Sequence, residues 1–80
     1  MGLMNLVAWE VEIHDMHCIV FAVTKAKAQW QATKSFWEAY GKNGLWPRAR
    51  AWRRPEYNGS ELRNDARQRC WSEEYVRNYP

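Results

Sequence analysis

Cysteine is scarce in this chain. Cys18 and Cys70 lie far apart and no CxxC occurs, so the two read as reduced thiols of a cytosolic protein. Cys18, at the head of an apolar strand, reads as a small buried hydrophobe. Long apolar runs are missing too: none approaches the roughly 18 residues that a bilayer span needs. The start, Met1-Gly2-Leu3-Met4-Asn5, lacks the basic segment and apolar run of a signal peptide. Leu6 stands where a myristoylation pattern needs Ser or Thr. These absences set the expectation of a cytoplasmic chain with no membrane contact, in which the sequon Asn58-Gly59-Ser60 is simply a turn. There is no glycine-rich stretch to make an oxyanion hole, no internal repeat and no low-complexity run.

What is present is tryptophan, six in 80 residues. A domain this small has barely enough surface to bury, and an aromatic side chain removes roughly 150–250 Å² from water. Trp9, Trp30 and Trp37 fall on core-facing periodicities and read as packing residues. Trp46, Trp52 and Trp71 sit among arginines. Charge is unevenly placed: nine of the twelve basic residues, but only five of the nine acidic ones, lie in 42–80. The asymmetry points to an acidic partner for the second half.

The chain is organised around a helix expected over Thr24–Tyr40, with an apolar stripe of Ala26, Trp30, Thr33, Trp37 and Tyr40 at 3/4 spacing. Thr24 stands at the N-cap position and Gly41 at the left-handed C-cap. Before it, Val7, Trp9, Val11 and Ile13 alternate with Ala8, Glu10 and Glu12, a half-buried strand with its carboxylates in water. His14–His17 is the turn. Cys18–Val23 is apolar on both faces, which suits a central strand. After the helix, Leu45–Arg54 is a third strand, restricted to an edge or a strand start by Pro47. It carries Trp46, Arg48, Arg50, Trp52 and Arg54 on one face and Leu45, Ala49, Ala51 and Arg53 on the other. Pro55–Ser60 reads as a loop, and Ser60–Arg77 as a second helix capped by Ser60.

The expected architecture is one α+β domain, residues 1–80. Residues 6–54 make a ββαβ core, a small three-stranded, mainly antiparallel sheet crossed by one helix, and 60–77 a C-terminal helix. A helical crossover leaves the last strand pair parallel or antiparallel.

Chemistry is thin. His14, His17 and Cys18 are the one metal-like cluster, but zinc needs three or four convergent ligands, and a tight hairpin with alternating faces does not converge them. Cys18 or Cys70 with His14 or His17 is a pair of residue types without a third member or an oxyanion hole. Glu10 and Glu12, two apart on a strand, read as solvated. No enzyme, metal or cofactor is expected. The segment Arg48-Ala49-Arg50-Ala51-Trp52-Arg53-Arg54, with Trp46 upstream, stands out. Arginine forks match phosphate or carboxylate and stack on rings; tryptophan adds a stacking or anchoring surface. Three readings suit it: a grip on a protein surface, direct nucleic-acid binding, or a charged edge strand that resists aggregation.

A short hairpin, then Ala22-Val23-Thr24-Lys25-Ala26-Lys27-Ala28-Gln29-Trp30 turning from strand into Ala/Lys-rich helix, then a strand, resembles small proteins encoded by bacteriophages and prophages. Several anti-CRISPR proteins are of this ββαβ kind. The likeness spans residues 6–54 and is one of architecture, so no functional residue carries over. It implies a compact, non-enzymatic inhibitor acting in the host cytoplasm, as monomer or dimer, on a nucleoprotein complex such as a CRISPR effector. Many such proteins are acidic and imitate DNA. This chain is basic in its second half, which directs it instead to an acidic or aromatic protein patch. Trp46, Arg48, Arg50, Trp52, Arg53 and Arg54 are the expected contact residues, with nucleic acid the alternative target.

Overall fold

Alternation along Val7–Ile13 sends Val11 and Ile13 to one side of a strand and Ala8 to the other, and all three are fully buried. A computed structural model describes residues 5–41, 47–65 and 69–79. In it β1 (Val7–Ile13) and β2 (Met16–Ala22) form an antiparallel hairpin in which Ile13 faces Met16 across the two-residue turn His14-Asp15. His14 holds a left-handed φ of 53°, a conformation that disfavours a Cβ. Its ring stacks on Phe36 at 5.2 Å, which offsets part of that cost.

Helix α1 (Lys25–Tyr40) follows. Thr24 caps it by accepting from the Lys27 N–H at 3.2 Å, and Gly41, at φ 84°, donates its N–H to the Trp37 carbonyl at 2.7 Å. Strand β3 (Ala49–Arg53) then returns on the far side of β1. The sheet order is β2-β1-β3, and both pairings are antiparallel. The fold is thus α+β: a three-stranded antiparallel sheet with α1 packed on it and a short C-terminal helix, α2 (Glu73–Asn78).

Four features depart from the sequence reading. First, β1 is the central strand and β2 an edge. The unbroken apolarity of β2 records cover on both of its faces, not a neighbour on both sides. Cys18, Val20 and Ala22 pack with Ala28 and Ala32 of α1, while Ile19 and Phe21 pack with Leu62 and Val76 of the C-terminal segment. Among the described residues the outer side of β2 is paired only at Ile19, through reciprocal bonds to Trp71 of 2.7 and 2.9 Å.

Second, the buried stripe of α1 is Ala28, Ala32 and Thr33, with Phe36 partly buried, whereas Trp30 is 46% and Tyr40 70% exposed. Small side chains let the helix axis approach the sheet, and that packing leaves Trp30 on the flank. Third, Ala8 and Glu10 do not face water: Ala8 lies in the second apolar cluster, and the Glu10 side chain is only 12% exposed.

Fourth, residues 60–77 are not one helix. Ser60 does cap, accepting from the Leu62 N–H, but what it caps is a 3-10 turn, Glu61–Asn64. The α2 helix starts afresh from Ser72, whose hydroxyl accepts from the Tyr75 N–H at 3.1 Å. A stripe of Leu62, Ala66 and Cys70 was too thin to hold a long helix against tertiary packing. Among the described residues no helix is long and apolar enough to cross a membrane.

Candidate interaction surface

Strand β3 lies at the edge of the sheet, and its alternation places the candidate residues. Ala51, opposite Val11, and Ala49, opposite Ile13, turn toward α1; the Gln29 amide donates to the Ala49 carbonyl at 2.9 Å. Arg50 and Trp52, opposite Glu12 and Glu10, turn to the other face. The Arg50 side chain is 72% exposed, with its Nη1 3.7 Å from a Glu12 oxygen, a spacing worth little in water. Trp52 is 38% exposed and Arg48 is exposed. Arg53 belongs to the α1 face, where its guanidinium lies 5.5 Å over the Trp9 ring while the residue stays exposed. Trp9 is held by its indole N–H, which donates to the Ala22 carbonyl at 3.1 Å.

Arg54 is different in kind. Its guanidinium reaches Glu10, Glu56 at 2.7 Å and Glu73 at 2.5 Å, and it lies 5.2 Å from the Tyr57 ring centre. The Tyr57 hydroxyl donates to the same Glu73 oxygen at 2.7 Å. Three carboxylates keep this guanidinium firmly protonated. In turn Arg54, and after it Tyr57, holds the Glu73 carboxyl below its usual range. The bond to Glu73 pushes the Tyr57 phenol up. Arg54 therefore ties β1, the turn after β3 and α2 together, and its donors face inward. Trp46 lies outside the described residues. Of the six expected contact residues, the structure leaves Arg48, Arg50, Trp52 and Arg53 presented to solvent.

His14, His17 and Cys18 do not converge. His14 stacks on Phe36, His17 sits 3.0 Å from Glu10 and 3.4 Å from Glu12, and Cys18 is in the core under α1. Among the described residues no group of three or more His, Cys, Asp or Glu side chains is arranged to hold a metal ion.

Two arrangements were missed in the sequence. Trp71, Tyr75 and Tyr79 form a ladder, with ring centres 5.3 and 5.7 Å apart and the Arg69 guanidinium 5.4 Å from Trp71. Their spacing of four was the available signal. Cys18 and Cys70 also meet, Sγ to Sγ at 2.9 Å, and no local pattern marks a contact between residues this distant in sequence. Comparison with known proteins adds no relative: no family model, no curated protein and no solved structure matches the chain.

Proposed function

We propose that this chain is a small, non-enzymatic interaction protein of the phage inhibitor type, and that it grips a host nucleoprotein complex through Arg48, Arg50, Trp52 and Arg53. The observation that carries this reading is the contrast along β3. Arg50 and Arg53 stay exposed beside a partly exposed tryptophan, whereas Arg54, next in sequence, is neutralised internally. Exposed arginines flanking an aromatic anchor are the composition of a binding hot spot. The resemblance of residues 6–54 to anti-CRISPR proteins makes a CRISPR effector complex the first partner to test, in the host cytoplasm.

The surface favours a protein partner over a bare duplex. Glu12, beside Arg50, and His17, held between Glu10 and Glu12, make the face mixed in sign. A phosphate track would meet repulsion there, while a protein patch can pair both signs. The test is binding of the full chain to an effector complex, and separately to labelled DNA and RNA, at low and physiological salt. Complex binding that survives salt and drops at least about tenfold with Trp52→Ala is expected. Arg50→Ala should weaken it less. Nucleic-acid binding that collapses with salt would replace this reading with the direct one. Binding that none of Arg48→Ala, Arg50→Ala, Trp52→Ala or Arg53→Ala alters would remove the site.

A further inference from the structure

Cys18 belongs to β2 and Cys70 to the segment that runs along the outer edge of that strand. The bridge between Ile19 and Trp71 sets their geometry. Antiparallel register at that bridge places Cys70 opposite Val20, so Cys70 and Cys18 are diagonal neighbours on the same face, the one under α1. Ile19 and Trp71 point to the other face and join the second cluster. The two sulfurs are 2.9 Å apart, and both thiols are free. They would have to close by only about 0.9 Å to reach the length of a covalent bond between them.

The two thiols are not equivalent. Cys18 is 5% exposed in the core cluster, and the bond to Cys70, with burial, pushes its thiol well up. Cys70 is less buried. Its thiol is drawn down by the bond from Cys18 and further by one from Ser35, against opposition from burial and Glu38. Cys70 is thus the less buried of the two thiols and the one with more thiolate character, and Cys18 sits behind it as the protonated partner. A partly buried nucleophile backed by a second thiol within contact distance has the arrangement of a reversible redox pair.

We propose that Cys18 and Cys70 are a redox-modification site, at which a low-molecular-weight disulfide oxidises the folded chain and fastens the C-terminal segment to the β2 edge. The Cys70 thiolate attacks one sulfur of the small disulfide, whose S–S bond breaks; the departing thiolate takes up a proton. Cys18 then loses its proton and attacks Cys70 Sγ in the mixed disulfide, releasing the second small thiol. Two protein thiols become one disulfide, and their two electrons reduce the small disulfide to two thiols. In a reducing compartment the bond reverses, which makes it a switch and not a permanent staple. The inference is independent of the interaction surface on β3.

The test uses the full chain and oxidised glutathione, with products read by intact mass and peptide mapping. The wild type should lose the mass of two hydrogens and yield a Cys18–Cys70 cross-linked peptide. Cys18→Ala should stop at a glutathione adduct on Cys70, and Cys70→Ala should stay unmodified while folded. Because the bond joins residues 52 apart in sequence, oxidised wild type should melt about 10 °C or more above the reduced form. That comparison needs no variant. A stable adduct on wild-type Cys70 without the internal bond, no reaction in the folded chain, or an oxidised form that melts no higher than the reduced one would each overturn the proposal.

Discussion

The two faces of the sheet are closed by different physics. Under α1 the contact is apolar and close: Val11, Ile13 and Val20 meet Ala28 and Ala32, all fully buried. On the other face a smaller apolar cluster of Ala8, Ile19, Phe21, Leu62 and Val76 gives way to the ion network of Arg54. The first face is held by a sixteen-residue helix, the second, among the described residues, by two 3-10 turns (Pro55–Tyr57 and Glu61–Asn64), one bridge and a six-residue helix. On this packing the sheet and α1 form the core, and the C-terminal segment lies over its other face as a clamp.

Truncating one residue on each face tests that difference. Ile13→Ala empties volume in the fully buried cluster under α1 and should cost about 3–4 kcal/mol. Leu62→Ala removes a comparable side chain from a face that can relax, and should cost about 2–3 kcal/mol. Urea melts monitored by tryptophan fluorescence measure both, and hydrogen exchange distinguishes them further. The Leu62 variant should lose protection first at the Ile19–Trp71 bridge and in α2, leaving the β1–β3 amides slow. Simultaneous loss of protection everywhere would mean the faces unfold as one unit, and the distinction between core and clamp would be gone.

Much of the α1 face could be read from residues alone, because local signals agreed there. Thr24 and Gly41 mark the helix ends, period-two alternation marks β1, and Pro47 with Ala49 and Ala51 marks an edge strand turned toward a helix. The helix stripe was misread because Trp30 and Tyr40 offer far more apolar area to bury than Ala28 and Ala32. Closeness of approach is a tertiary property that only the small residues record. The second face was legible only in part. Glu10 looked solvated until Arg54 and the C-terminal segment covered it, and nothing near residue 10 announces a partner 44 positions away. For the same reason Arg54 looked like one more surface arginine beside Arg50 and Arg53.

Replacing Arg54 sharpens the comparison on the polar side. Arg54→Met keeps much of the side-chain bulk but leaves Glu10 and Glu73 without their shared cation. The network is partly open to water, with Arg54 21% and Glu73 34% exposed, so screening limits the loss to about 1–2 kcal/mol. Arg50→Ala, two residues from Trp52 on the same face of β3, should cost under about 0.5 kcal/mol. Equal losses in urea melts for the two variants would mean that Arg54 is an ordinary surface residue and that its place among the contact residues should be restored.

The smallest expected effect is a pH window centred on Glu73. Its carboxyl is held low in the folded chain, by Arg54 first and Tyr57 second. Folding therefore favours the ionised form. That stabilisation is fully present above the unfolded carboxyl value, about 4.3, and is lost as pH falls through the lower folded value. Tyr57 shifts the other way, because its hydroxyl donates to the same carboxylate. Its contribution is complete below the unfolded phenol value, about 10, and is lost as pH rises through the higher folded one. One carboxylate thus sets both limbs. The Tm difference between wild type and Glu73→Gln should be flat between about pH 5 and 9 and should shrink outside it on either side. Thermal melts from acid to alkali measure this directly. A difference that stays constant across the whole range would show that the Glu73 charge adds nothing to folding, and that the second face is closed by apolar packing after all.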